Sequence, residues 1–238
     1  MPRIRVNGVE LHYEWHGPED APVVVLSNGV LANTAGWFNQ TPVLSKGFRV
    51  LLYDCRGQGR SEHPAGPYSM EMHADDLAEL LTALEVEKAH IGGISYGGEI
   101  SLLFAAKYPD RTKSVIAMSA VSEVLPLLRA QIELWTAAAQ AHDPLLFFRA
   151  TVTHNFSAAF IASNQAFLES SISRFAALDI DAVPPGCREA VRGEIVRRPD
   201  HRPAREQIVP RERRRVRVIA AEPACSTTWL SIARTEAK

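Results

Sequence analysis

The sequence predicts an α/β protein: a mostly parallel, doubly wound sheet over residues 1–120, followed by a helical cap over residues 121–180. Three observations carry this reading. The runs Val23-Val24-Val25-Leu26 and Val50-Leu51-Leu52-Tyr53 are continuously apolar, as strands buried on both faces of a parallel sheet must be. Segments with apolar residues at helical spacing alternate with such runs, which argues for parallel strands joined by crossover helices. From residue 121 the text becomes rich in Ala, Leu and Phe with no convincing strand, the pattern of an inserted layer lying over strand ends.

Taken in order, Pro2–Val6 and Val9–His16 alternate apolar and polar residues around Asn7-Gly8. Both turn residues tolerate positive φ, so the pair predicts a two-residue hairpin. Val23–Leu26 ends in the loop Ser27-Asn28-Gly29-Val30, and a helix is predicted from about Gly36 to Leu44. The strand Arg49–Tyr53 closes on Asp54-Cys55-Arg56-Gly57-Gln58-Gly59-Arg60-Ser61. Ser69 is a good N-cap, with Glu71 in the first turn where negative charge is favoured. Leu77, Leu80, Leu81 and Leu84 then share one helix face. A strand over Ala89–Gly92 leads directly into a helix that runs to about Lys107 and is ended by Pro109. Ser114–Met118 is the next strand, and helices follow, including Leu145–Phe148 and Phe156–Phe175.

Between the Ala89–Gly92 strand and its helix stands Gly93-Ile94-Ser95-Tyr96-Gly97, a G-x-S-x-G pattern. Its letters alone should recur by chance in roughly one chain in ten of this length, so the context carries the weight. A sharp strand-to-helix turn pushes one side chain out above the sheet, and flanking glycines let neighbouring backbone approach without a Cβ clash. Ser95 is then a candidate nucleophile beside a helix N-terminus, where a developing negative charge is favoured. The competing reading is a purely structural Gly-rich turn.

Composition bounds the rest. At 238 residues, 46% hydrophobic and 22% charged, the chain suits one globular domain with an insertion. No apolar run is long enough to span a bilayer, and residues 1–6 lack a signal-peptide core, so no membrane partner and a cytoplasmic setting are expected. Cys55, Cys187 and Cys225 have no metal-like spacing and cannot all pair, which fits a reducing compartment. The absence of a phosphate-binding loop, metal cluster or dinucleotide fingerprint implies no cofactor. Residues 1–180 hold 13 basic and 19 acidic side chains, whereas residues 181–238 hold 13 and 8. That Arg- and Pro-rich stretch has Trp229 as its one aromatic, so it does not suit a nucleic-acid partner. The expected partner is a small-molecule substrate, and nothing fixes an oligomeric state.

With these motifs in order, the chain resembles the α/β-hydrolase superfamily. The matching residues are Leu26-Ser27-Asn28-Gly29, Trp37, Tyr53-Asp54-x-Arg56-Gly57-x-Gly59-x-Ser61 and Gly93-x-Ser95-x-Gly97, covering roughly residues 5–120. Ser27-Asn28-Gly29, where His-Gly is commoner, resembles the 3-oxoadipate enol-lactonase branch. A fainter likeness, in Asn28–Ala35 and Ala162-Ser163-Asn164, is to an acyltransferase that makes rhamnolipid precursors. The resemblance implies an α/β-hydrolase fold, Ser95 as nucleophile, and the N–H groups of Val30 and Tyr96 as the oxyanion hole. It makes the Arg56–Gly59 loop structural, and leaves Tyr96 and Trp37 open between packing and substrate contact. The implied activity is hydrolysis of a small carboxylic ester or lactone. A non-catalytic ligand-binding relative and an acyltransferase are the rival readings.

The family pattern also implies an acid and then a histidine after Ser95. Glu206-Gln207-Ile208-Val209-Pro210 resembles the acid turn, which makes Glu206 a weak acid candidate; Glu123 is a second. The histidines are His12, His16, His63, His73, His90, His142, His154 and His201, and none stands in a Gly-x-Gly-His-like turn. The strand expected before Glu206 is replaced by Arg197-Arg198-Pro199-Asp200-His201-Arg202-Pro203, which cannot form a buried strand. Residues 181–238 are therefore expected to be a frame-slipped or decayed remnant, poorly ordered, and the activity impaired; the rival reading is a genuine, divergent basic tail. If a base exists, it is sought among His63, His142, His154 and His201. Phe147, Phe148, Phe156 and Phe160 are expected to line an apolar pocket or to form the core of the cap.

Overall fold

The computed structural model describes residues 2–122, 124–141 and 143–176. Among the described residues, six strands form one sheet in the order β1-β2-β4-β3-β5-β6. β1 (Arg3–Val6) and β2 (Val9–His16) make the predicted hairpin, with Asn7 and Gly8 both at positive φ (46° and 77°) and Val6 opposite Val9. β2 runs antiparallel to β4 (Arg49–Tyr53), whereas β4, β3 (Val23–Ser27), β5 (Ala89–Ile94) and β6 (Thr112–Met118) are parallel to one another.

The apolar runs are explained by burial on both sides. Successive side chains of a strand point to opposite faces. Val25, Leu51, Tyr53 and Ile91 pack on one face with α2 (Met70–Ala83) and α3 (Tyr96–Lys107). Val24, Leu26, Val50 and Leu52 pack on the other with Trp37 and Leu44. Leu77, Leu80, Leu81, Ile100 and Phe104 are fully buried, each contributing about 1.5–3 kcal/mol of apolar burial. Ser69 caps α2 through its hydroxyl, which accepts the Met72 N–H at 3.1 Å.

The single helix predicted over Gly36–Leu44 is instead two short pieces: a 3-10 turn at Thr34–Trp37 and α1 (Thr41–Leu44). Pro42 lacks an N–H and belongs at the start of a helix, so it opens α1 rather than extending the earlier turn. Beyond β6 come α4 (Pro126–Gln140), α5 (Pro144–Asn155), α6 (Ala158–Ser163) and α7 (Gln165–Ala176). The helical text from Phe156 onward is broken at Asn164, which separates α6 from α7. These helices pack chiefly on one another, α4 on α5 and α5 on α7. Phe156 stacks on Phe160 at 4.9 Å, and both meet Phe167 edge-on, so these partly exposed rings pack on one another within the cap. Among the described residues, no helix is long and apolar enough to cross a membrane. The expectations for residues 181–238, for Glu123 and for His142 lie outside the described residues.

Candidate active site

Chain order and sheet order part company at one place, and the site lies there. From β3 the chain moves out to β4, then returns past β3 to β5. Loops leaving the C-terminal ends of β3 and β5 meet at this switch point, the usual ligand position in open α/β sheets. The turn after β5 carries Ser95, and the loop after β3 carries Asn28, Gly29 and Val30.

Ser95 is exposed and adopts φ 52° and ψ −121°, a region that costs about 1–3 kcal/mol for a residue with a Cβ. The surroundings leave it no alternative. Its N–H donates to the Met118 carbonyl at 2.8 Å, and its carbonyl accepts the Glu99 N–H at 3.0 Å. A Cβ on Gly93 would fall 2.1 Å from the Gly97 carbonyl oxygen, and one on Gly97 would fall 2.1 Å from that of Ser27. The two motif glycines are thus demanded by close backbone approach. Gly29 lies on the other side, where a Cβ would sit 3.8 Å from the Ser95 Cβ. Val30 follows directly, and among the described residues no hydrogen bond engages its N–H. Tyr96 opens α3, so its N–H belongs to the helix N-terminus beside Ser95.

The loop bearing Gly29 and Val30 is held by a buried hydrogen-bond hub centred on Asp54. One carboxylate oxygen accepts from Asn28 Nδ2 at 3.1 Å and from the Thr34 N–H at 2.8 Å; the other accepts the Arg60 N–H at 2.8 Å. Asn28 also donates to the Tyr53 carbonyl at 3.0 Å and accepts the Trp37 indole N–H at 2.6 Å. Trp37 is therefore a buried strut. With its amide nitrogen facing the loop, Gln58 donates to the carbonyls of Gly29 at 3.0 Å and Ala32 at 3.2 Å. Thr34 passes the hub on to Glu14, whose carboxylate also meets His12 at 2.9 Å and His16 at 3.3 Å. Burial alone would raise the Glu14 carboxyl, but the hydrogen bonds from His12, Thr34 and His16 outweigh it and hold the group below its ordinary range.

On the α2 side of the turn the chemistry differs. Arg56 forms a bidentate pair with Asp76 at 2.7 and 2.8 Å, tying the loop after β4 to α2, and this partner raises the guanidinium above its ordinary value. His73 is buried edge-on against Tyr68 and Tyr96, with ring centroids 5.9 and 5.3 Å away. Both its ring nitrogens lack a hydrogen-bond partner among the described residues. Burial, with the Arg56 charge adding, pushes its pKa down to about 3, so the ring is neutral at physiological pH.

None of the described histidines hydrogen-bonds to Ser95. His63 is exposed, His90 pairs with Ser114 at 2.8 Å, and His154 packs on Trp135 at 4.9 Å. Of the sequence-derived site residues, the fold brings Ser95 and Tyr96 to one side of the switch point and Val30 to the other; Glu206 and His201 lie outside the described residues. The Asp54 hub and the His73 site were not read from the sequence. Asp54 stood inside a recognised motif, but its partners Asn28 and Thr34 are distant in the chain.

Residues 22–224 match a family model described as the alpha/beta hydrolase fold. The chain is 31% identical over 177 residues to a protein of Azorhizobium caulinodans named as a candidate carbamate hydrolase, RutD, covering 74% of this chain and 66% of that protein. It is 31% identical over 132 residues to 3-oxoadipate enol-lactonase 2 of Acinetobacter baylyi, covering 56% and 48% respectively. The chain thus spans less than two thirds of either relative's length. Among solved structures, an enol-lactonase from Burkholderia xenovorans LB400 superposes with a TM-score of 0.68 at 29% identity, over 82% of this chain and 75% of that one. An alpha/beta hydrolase enzyme, MGS-M2, from a deep-sea metagenome gives a TM-score of 0.73 at 26% identity, over 80% and 72%.

Proposed function

The chain belongs to the α/β hydrolase fold family, and from that premise we propose that it is built as a serine hydrolase acting on a small carboxylic ester or lactone. The observation that carries the reading is Ser95 itself: exposed, strained, at a helix N-terminus and facing the Gly29–Val30 loop across the sheet's switch point. The likeness to an enol-lactonase over most of the chain supports the substrate class.

In this mechanism Ser95 Oγ attacks the carbonyl carbon while a general base takes its proton. The carbonyl π electrons move to oxygen, and the resulting oxyanion lies between the Val30 and Tyr96 N–H groups. Each such donor is worth about 3–4 kcal/mol of transition-state stabilisation. The C–O bond to the leaving alkoxide then breaks, the alkoxide takes the proton, and water hydrolyses the acyl-Ser95 ester to regenerate the hydroxyl. Asp54, Asn28, Trp37 and Gln58 serve this step by fixing the loop before substrate arrives. The base is the incomplete part, because no histidine stands in the Gly-x-Gly-His-like turn that the family pattern implies. Acylation is accordingly expected to be slow, resting on the roughly 10³–10⁴-fold acceleration that binding and an oxyanion hole supply without a full triad.

The test is labelling with a fluorophosphonate probe followed by ester turnover. Slow, stoichiometric labelling that disappears in Ser95→Ala supports the proposal. Labelling that persists in Ser95→Ala, or no labelling alongside stabilisation by small apolar ligands, would replace it with a binding protein that has the pocket without the chemistry.

A further inference from the structure

Three segments come together at the C-terminal end of the sheet: residues 27–33 after β3, 93–99 around the Ser95 turn, and 119–125 after β6. Because β5 lies between β3 and β6, the Ser95 turn is flanked on both sides. On one side a Cβ on Gly29 would sit 3.8 Å from the Ser95 Cβ. On the other, Ser95 N–H donates to the Met118 carbonyl at 2.8 Å, and a Cβ on Gly98 would meet the Ala120 Cβ at 2.7 Å.

Leu31 is out of place in the first segment. The turn Gly29–Ala32 is closed by the Ala32 N–H on the Gly29 carbonyl at 3.2 Å, and Leu31 holds its third position at φ 60°. That position suits glycine, since a residue with a Cβ enters the left-handed region only at a cost. The turn is fixed from below and from both ends, by Gln58 on the carbonyls of Gly29 and Ala32 and by Asp54 on Asn28 and Thr34. Val30 packs its side chain on the sheet core, whereas Leu31 is left exposed at the end of the sheet where Ser95 stands. Strained residues of this kind gather at ligand clamps. In the segment beyond the Ser95 turn, Val121 and Leu125 are exposed as well. The three segments contain no Lys, Arg or His, and their charged residues, Glu99 and Glu123, are both acids. The arginines of the loop after β4 are engaged elsewhere, Arg56 with Asp76 at 2.7 Å and Arg60 with Glu14 at 3.5 Å.

We propose that Leu31 is a specificity-determining residue: with Val121 and Leu125 it gives the Ser95 site an apolar rim that accepts uncharged acyl groups and excludes those ending in a carboxylate. The proposal rests on the reading of Ser95 as nucleophile, and narrows its substrates to esters and lactones whose acyl part is apolar. An aliphatic chain gains by leaving water against Leu31. A carboxylate in the same place would lose its hydration with no basic partner in these segments to replace it.

The experiment measures labelling rates of the full chain with two fluorophosphonates of equal length, one ending in a methyl group and the other in a carboxylate, with Ser95→Ala as control. In the wild type the methyl-ended probe is expected to react about tenfold faster or more. Leu31→Gly, whose backbone suits the turn, is expected to slow that probe about five- to tenfold and to leave the other nearly unchanged. Leu31→Met restores an apolar side chain and is expected to recover most of the preference. A carboxylate-ended probe that labels Ser95 as fast as the methyl-ended one overturns the proposal and retains the nucleophile, whatever the variants do; so does an unchanged ratio in Leu31→Gly. Thermal stabilisation by hexanamide and by its carboxylate-ended counterpart, adipamate, reads the same preference without chemistry. If neither probe labels, stabilisation by hexanamide alone, lost in Leu31→Gly, retains the apolar rim and removes the hydrolase. Equal stabilisation by the two, or none, then overturns both.

Discussion

Asp54 and His73 are both buried polar side chains flanking the Ser95 turn, and their surroundings are opposite. Asp54 is fully buried, and three N–H donors converge on its carboxylate from Asn28, Thr34 and Arg60. His73 sits between two tyrosine rings with neither nitrogen paired among the described residues. A buried polar group costs free energy unless its hydrogen bonds are made, and a network is worth having only when complete. The complete network lies on the side that must be rigid, beneath the loop carrying Val30. The unpaired imidazole lies on the α2 side, where it packs as an aromatic disc and is held neutral.

The largest expected effect comes from breaking the complete side. Asp54→Ala removes the acceptor of three buried donors at once and should destabilise the fold by about 3–5 kcal/mol in urea titration. A loss below about 1 kcal/mol would mean that the hub is not what holds the loop.

The incomplete side predicts an acid limb. With a folded pKa of about 3 against 6.5 in the unfolded chain, His73 is protonated in the unfolded state first. Its contribution is complete above 6.5, falls as pH drops below that value, and levels off near 3. The slope is about 1.4 kcal/mol per pH unit, or about 2–3 kcal/mol between pH 7 and 4.5. His73→Phe keeps an aromatic ring between Tyr68 and Tyr96, and should flatten that limb in denaturation curves compared with wild type. An unchanged difference between pH 7 and 4.5 in the variant would remove His73 as its source.

Two smaller changes sharpen the contrast. Trp37→Phe leaves the ring but takes away the N–H that Asn28 accepts, and an expected loss of about 1–2 kcal/mol follows from one buried acceptor left unpaired. If Trp37 were only packing, its loss would be near zero by thermal melts. Ser95→Gly relieves the strained φ and ψ at the turn and should raise stability by about 1 kcal/mol while ending probe labelling. A variant that is less stable would show that the turn is not strained.

What the sequence determined by itself was whatever is encoded locally. The Asn7-Gly8 hairpin, the Ser69 cap and the leucine face of α2 each follow from neighbours within a few residues, and the structure has them as read. The doubly buried strands were legible because a continuous apolar run is itself the record of two covered faces. The Gly-x-Ser-x-Gly turn was legible because its glycines answer a backbone crowding that recurs wherever a strand turns sharply into a helix. The split of the Gly36–Leu44 helix was in part local as well, since Pro42 opens α1, while the Trp37 turn before it is tied to Asn28 on another element. Asp54 meets Asn28 from 26 positions away, and Arg56 meets Asp76 from 20. Nothing local distinguishes these residues from solvated ones, because desolvation and hydrogen-bond satisfaction exist only after the chain has closed on itself. For the same reason the sequence could not tell apart the surroundings of its eight histidines. Only tertiary packing separated the carboxylate-paired His12 from the buried, neutral His73.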